Sequence, residues 1–258
     1  MFSNFLLGAT DPDVMNHLVR TTSPSAALAL DLENLILGLK ADDLWDKLDV
    51  LCVAHPTEAD SLLNLKGVST GAPDSINQNG CAFAADRGFT TSTSGGAYID
   101  LDTTEDAAPL YLQDARHFFV YTRTFNSGGT IFSADGGITR ILLYETATPD
   151  QAAIFVGNAY VTIDQDVPIG FICGSAVGTN LTRAALNETQ GANAVSSHAV
   201  LEATDTILIG AFSGTASVQV NDQFSAWGIG GGLGSAQIAA YESRIRTYLT
   251  ARGAEVYP

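Results

Sequence analysis

Basic residues are scarce in this chain. Twelve lysines and arginines face 28 aspartates and glutamates among 258 residues, giving a formal charge of −16 and a pI near 4.3. Proteins that bind duplex nucleic acid, a polyanion, present a basic face. The few cations here are scattered, so no nucleic-acid partner is expected. The same acidity favours solubility and opposes unassisted contact with anionic lipid or acidic polysaccharide. Cysteine is also scarce. Cys52, Cys81 and Cys173 are far apart, odd in number and outside any CxxC or Cys/His cluster, so neither a disulfide framework nor a zinc site is expected. Cys52 and Cys173 sit in the apolar runs Leu48–Ala54 and Ile169–Cys173 and read as small buried hydrophobes, in keeping with a reducing cytoplasm. No apolar run approaches the ~20 residues that span a bilayer. Met1–Gly8 is apolar but lacks a basic n-region and a long h-region, so no signal peptide is expected. Without one, the formal sequons at Asn180 and Asn187 carry little meaning.

Motifs that would announce chemistry are missing as well. His17, His55, His117 and His198 fall in no metal spacing, and no GxSxG nucleophile elbow or EF-hand loop occurs. The D-x-D pairs Asp100/Asp102 and Asp164/Asp166 place two carboxylates on one strand face. Such a pair could be half a calcium site, although solvated strand-end aspartates are the simpler reading. Gly228, Gly230, Gly231, Gly232 and Gly234 precede a helix, but without GxxxxGK[ST] or a βαβ setting they read as a flexible connection at a sheet edge. Trp45, Trp227, Tyr98, Tyr111, Tyr121 and Tyr160 are the aromatics available for stacking on sugars. The two tryptophans read as core or interface anchors. No catalytic, cofactor or metal residues are assigned, and the chain is expected not to be an enzyme.

What the sequence does contain is a strand-and-turn rhythm between two helices. Residues 1–22 read as an arm with a turn at Asp11-Pro12-Asp13. Thr22 or Ser23 can cap a helix over Ser25–Leu39, with Pro24 near its start. Leu28, Leu32, Leu35, Ile36 and Leu39 make one apolar stripe, which either packs on the helix's own domain or forms an oligomer seam. Leu48–Ala54 reads as a buried strand and Thr57–Leu65 as a short helix capped by Thr57. Short strands follow near residues 80–85, 97–101, 117–125, 130–133, 138–144, 152–156, 160–164, 169–175, 183–186, 206–211 and 217–220, punctuated by Gly95-Gly96, Gly128-Gly129, Gly136-Gly137 and Asn221-Asp222. That spacing predicts a sandwich. The alternating strand Gln223–Ile229 then runs into an amphipathic helix over residues 235–252. Ser235 is its N-cap candidate, Ile238, Tyr241, Ile245, Tyr248 and Leu249 lie on one face, Arg244, Arg246 and Arg252 lie toward its end, and Gly253 is its C′ residue.

Several of these stretches carry a family resemblance. LKADDLWDKLDVLCVAHPTEADSLLNL from Leu39, followed by Lys66, resembles the opening segment of a group of virion proteins of tailed phages, prophages and gene-transfer particles. That group closes with a strand, glycines and a helix, as in Ala226–Gly253 here. FAADRGFTTSTSGGAYIDLD (Phe83–Asp102) and the hairpin pieces GSAVG and LNETQ in Gly170–Gln190 resemble its middle. The likeness runs from about residue 25 and is weaker over residues 103–165. It implies a concanavalin-A-like (LamG-type) jelly roll. The enzymes of that fold carry E-x-D-x-E on one strand, so that two carboxylates flank a glycosidic bond, whereas the glutamates here are isolated in sequence.

The expected fold is therefore mainly β: a jelly-roll sandwich with an N-terminal helical segment and a C-terminal covering helix. Residues 1–45 are expected to be an anchoring or oligomerisation segment, and residues 46–258 the sandwich. The expected function is that of a virion structural protein, a head spike, head fibre or tail fibre module. It would attach to other virion proteins through residues 1–45, assemble as a homo-oligomer (a trimer by the resemblance), and touch host polysaccharide without inserting into a membrane. A free lectin-like binder and a polysaccharide depolymerase are the alternatives.

Overall fold

The computed structural model describes residues 9–67, 76–126, 128–134, 139–144, 151–156, 159–165, 167–195, 198, 206–213, 215, 217–218 and 220–257. Met1–Gly8, the turn at Gly136-Gly137 and Asp166 lie outside them. In chain order, α1 (Pro12–Leu18) and α2 (Ala26–Ala41) lead through the 3-10 turn Trp45–Lys47 into β1 (Leu48–Val53) and α3 (Glu58–Ser61). Next come β2 (Asn77–Asn79), β3 (Ala82–Ala84), β4 (Gly88–Thr90), β5 (Tyr98–Thr104), β6 (Ala115–Thr122), β7 (Gly129–Ala134), β8 (Thr139–Tyr144), β9 (Gln151–Val156) and β10 (Ala159–Asp164). They are followed by β11 (Gly170–Val177), β12 (Leu181–Leu186), β13 (Thr189–Gln190), β14 (Ala194–Val195), β15 (Thr206–Ile209), β16 (Ala211–Phe212), β17 (Ser217–Val218), β18 (Gln223–Gly230) and finally α4 (Ser235–Ala251).

These strands build a mainly β jelly-roll sandwich, as their rhythm predicts. One sheet has nine strands along the path β13-β12-β11-β6-β18-β4-β3, with β1 beside β18 and β14 beside β12. The other has seven, in the order β10-β9-β8-β7-β15-β5-β2. All described pairings are antiparallel. β18 is the pivot of the larger sheet. It pairs with β6 on one side and, end to end, with β4 at residues 223–224 and β1 at residues 226–230 on the other.

The central strands of this sheet are buried on both faces, which is why β1 and β6 read as nearly unbroken apolar runs rather than as alternating ones. Alternation persists in where the side chains go. Phe118 and Val120 point into the core between the sheets, while Phe119 and Tyr121 point into a second core under the helices. Phe118 stacks on Phe132 of the opposite sheet at 4.8 Å. On the other face, Tyr241 of α4 meets Phe119 at 4.7 Å and Phe171 at 5.7 Å. A Cβ on Gly228 would stand 2.6 Å from Val50 O and 3.1 Å from the Tyr241 hydroxyl, so the missing side chain admits that ring.

The stripe Leu28, Leu32, Leu35, Ile36 and Leu39 of α2 is buried in this second core, together with Ile238, Tyr241, Ile245 and Leu249 of α4 and Leu51 and Val53 of β1. The expected boundary at residue 45 therefore does not separate two cores, and the stripe is closed within the chain. Residues 9–18 are not an arm either. Asp11 caps α1, accepting from Asp13 N at 2.9 Å with Pro12 at the first helical position. The buried Glu33 carboxylate of α2 accepts from the Thr10 amide and hydroxyl and from the Asp11 amide at 2.7–3.1 Å. Lys40 closes the joint on Asp11 and Asp13 at 2.7 and 2.6 Å.

Three caps or bounds differ from expectation. Ser25 rather than Thr22 or Ser23 caps α2, because Thr22 is taken by Asp60, whose carboxylate accepts its amide at 2.7 Å. The helix begun by Thr57 stops at Ser61. Ser235 is the first residue of α4, its hydroxyl accepting from Arg183 at 2.7 Å, while Gly234 is the N-cap and its amide donates to Gln237 Oε1 at 3.1 Å. Gly253 does end α4 with a left-handed φ of 66°. No described helix is long and apolar enough to cross a membrane.

Because one core is shared, a chain starting at residue 46 is expected to expose the faces of α4 and β1 and to aggregate or unfold on its own. Tyr241→Ala, which empties the junction of α4 with β6, β11 and β18, is expected to cost about 3–5 kcal/mol. Urea unfolding of the two proteins tests this, and a soluble, cooperatively folding 46–258 fragment would restore the separate-module reading.

Candidate functional site

Of the six aromatics available for sugar stacking, four are used inside the fold. Trp227, Tyr111 and Tyr121 are fully buried. Trp45 is buried too, with Lys66 Nζ 4.3 Å from its ring centre. Tyr98 is half-buried on β5. Tyr160, on β10, is 57% exposed.

The cores account for this split. Ile141 of β8, Ile154 of β9, and Val161 and Ile163 of β10 fill the space between the sheets. Strand alternation then turns Arg140, Phe155 and Tyr160 to the outer face of the seven-stranded sheet. The helices cover the other sheet, and no described helix covers this face. Register lines the three up across adjacent strands: Arg140 is opposite Phe155, and Phe155 opposite Tyr160. The rings of Phe155 and Tyr160 stack at 5.1 Å and 25°, and the Arg140 guanidinium lies 4.6 Å from the Phe155 ring centre. Ser133 continues the row beyond Arg140, but there it is closed. The Ser133 hydroxyl donates to Ala211 O at 2.7 Å and accepts from Ser213 N at 2.6 Å, under the β16–β17 hairpin. The row thus opens toward Tyr160. Sequence reading singled out Tyr160 but missed Phe155 and Arg140, since only the pairing register brings them beside it.

The other candidates are occupied by structure. Asp102 adopts a φ of 52° and its amide donates to Asp100 Oδ1 at 2.8 Å, and Asp164 accepts from Gln151 at 2.8 Å. Among the described residues no three His, Cys, Asp or Glu side chains cluster as metal ligands. Asn187 of the second sequon is buried, its Oδ1 accepting from Phe171 N at 2.8 Å. The glycine cluster is packed rather than open: Gly231 N donates to Lys47 O at 2.8 Å, and Gly231 O contacts His117 Nδ1 at 2.6 Å. His198 lies between Asp114 (3.1 Å) and Thr182 (3.4 Å), an order reminiscent of a catalytic triad, but Thr182 is fully buried.

Two hollows lie elsewhere on the described surface. One, of 640 Å³, runs along α4 between Glu188 and Thr250. Burial pushes the Glu242 carboxyl in it up to about 7, and Arg246 opposes that shift. The other, of 550 Å³, surrounds Trp45 with Lys40, Asp46 and Lys66. Their charges are spent internally. Arg246 pairs with Glu188, Glu242 and Glu255, and Lys40 with Asp11 and Asp13. Size alone therefore does not make either hollow the site.

No family model and no curated protein matches this sequence. Solved structures with the same fold do. A mutant of HCR/D is 12% identical with a TM-score of 0.51, over 77% of this chain and 52% of that one. The binding domain of Paraclostridial Mosquitocidal Protein 1 is 8% identical with a TM-score of 0.51, over 78% and 52%. Domain 4 of AbnA, a GH43 extracellular arabinanase from Geobacillus stearothermophilus solved with arabinotriose, is 14% identical with a TM-score of 0.46, over 76% and 98%. This chain spans about half the length of the first two. At these identities the likeness to the first two is one of fold.

Beneath the helices the remaining histidines define a pH response. His17 and His55 are buried with ring centres 5.0 Å apart, and neither ring nitrogen of His55 has a hydrogen-bond partner. Burial pushes His55 down to about 4, with Asp60 opposing and Arg252 assisting, and it lowers His17 as well. The folded state therefore binds fewer protons than the unfolded chain between about pH 6.5 and 4, and this contribution to stability is lost as pH falls through that window. Asp49 and Glu242, raised by burial to about 6 and about 7, act in the opposite sense. His55→Phe isolates the imidazole. Urea unfolding at pH 7 and pH 4.5 is expected to show wild type losing up to about 3 kcal/mol more than the variant. Equal losses would remove His55 from the acid response.

Proposed function

We propose that this chain is a carbohydrate-binding jelly-roll module. The observation that carries the reading is the stacked Phe155–Tyr160 pair standing at the surface of the one sheet face that no described helix covers. A folded chain hides most large aromatics. A preorganised pair with an exposed Tyr160 beside a half-buried Phe155 offers an apolar surface against which the C–H face of a sugar ring packs at little entropic cost. A two-sheet scaffold fixes the pair by backbone pairing on both sides of β9.

The proposed setting is the virion of a tailed phage or phage-like particle, as a spike or fibre module that meets host polysaccharide and attaches through its N-terminal segment. What supports this is the resemblance together with its placement. The opening and closing segments that resemble the phage group are far apart in sequence, yet they form one unit, in which β1 pairs with β18 and α2 packs on α4.

Labelled protein is expected to bind cells that carry surface polysaccharide and not cells stripped of it, with Tyr160→Ala binding about tenfold more weakly. Binding that survives removal of the polysaccharide would overturn the saccharide reading. Peptides of this chain are expected in purified particles, and their absence would overturn the virion setting.

A further inference from the structure

We propose that the Arg140–Phe155–Tyr160 row takes a carboxylated sugar: a ring packs on the exposed aromatic edge and its carboxylate pairs with the Arg140 guanidinium. The proposal rests on the saccharide reading above and narrows it to an acidic ligand.

Charge pairing elsewhere in the chain is the first argument. Carboxylates outnumber cations by 28 to 12, and several cations are ion-paired. Arg244 meets Asp42 at 2.8 Å, Arg252 meets Asp86 at 2.6 Å and Asp31 at 3.2 Å, Arg246 meets Glu188 at 3.0 Å, and Lys40 meets two aspartates. The Arg140 side chain makes no hydrogen bond or ion pair among the described residues. Its guanidinium lies over the Phe155 ring, and its Nε is buried without an acceptor. A guanidinium over an aromatic ring can still direct its remaining N–H donors to a carboxylate, which it receives bidentately.

Position is the second argument. Arg140 and Tyr160 are separated by β9, so two strand spacings, about 10 Å, lie between them. That is within reach of one or two linked sugar rings lying along the row. Ser133 closes the row beyond Arg140, so the cation sits at the inner end and the aromatic edge at the mouth. Asp164, the nearest described outward carboxylate on β10, is two register rows from Tyr160 and is held by Gln151. The negative charge of the whole chain opposes an anionic ligand at long range, so a cation in contact with the bound sugar is what gives an acidic ring an advantage over a neutral one of the same shape.

The test is calorimetry on the full chain with three tetrasaccharides, an oligogalacturonate, a hyaluronan fragment and an α2,8-linked sialic acid oligomer, each beside its carboxyl-reduced counterpart. At least one acidic probe is expected to bind about tenfold more tightly than its reduced form. Arg140→Gln is expected to erase that difference, Arg140→Lys to retain part of it, and Tyr160→Ala to weaken both forms. Equal binding of an acidic probe and its reduced form, still weakened by Tyr160→Ala, would overturn the acidic preference and leave the saccharide reading standing. Failure of all six probes to bind would overturn the preference, and the saccharide reading falls separately if cells bind equally without their polysaccharide. The acidic-versus-reduced comparison on the wild-type chain decides the matter even if Arg140→Gln does not fold.

Discussion

A sheet that carries apolar side chains on both faces must be covered twice, and in this molecule the nine-stranded sheet imposes that requirement. Phe118, Val120 and Trp227 need one cover, and Phe119, Tyr121 and Phe171 need another. The seven-stranded sheet supplies the first, and α2 with α4 the second. At roughly 25 cal/mol per Å² of buried apolar area, neither cover is dispensable for a domain whose net stability is small. The helices are thus part of the core, and Tyr241, set into the space left by Gly228, is where their layer locks to the sheet.

The same geometry explains why one sheet face is left without a helical cover. Covering the larger sheet on both sides uses both helices and the inner face of the smaller sheet. Among the described residues the smaller sheet's outer face has no helical cover, and there the period-two alternation that buries Ile141, Ile154 and Val161 also presents Arg140, Phe155 and Tyr160. A rigid row of this kind keeps its spacing without a ligand, because main-chain pairing sets it.

Much of the architecture was legible in the sequence, and the reasons are local. Turn residues and β-rich runs marked most of the strands, and the three- and four-residue spacing of Ile238, Tyr241, Ile245 and Tyr248 marked α4. Caps misled where a side chain had a stronger distant partner, as when Asp60 took Thr22. The N-terminal segment misled because a polar joint built by Glu33, Asp11 and Lys40 leaves no apolar pattern over residues 9–13. The surface row was illegible for a different reason. Its members lie 15 and 5 residues apart, and only the register of β8, β9 and β10 makes them neighbours. Tyr160 carried a signal of its own, whereas Arg140 looked like any other scattered cation.

The place of β18 has a bearing on how the chain is made. This strand, from residues 223–230, is hydrogen-bonded to β6 and also to β1, about 175 residues earlier. During synthesis β6 emerges long before its partner, so its backbone edge stays unpaired until more than a hundred further residues have been added. The sandwich therefore closes late, through contacts of high sequence separation, which slows folding and leaves a half-made sheet open to neighbouring nascent chains. A polyanionic chain is well suited to that interval, because like charge keeps unfinished copies apart while the last strand is still on the ribosome.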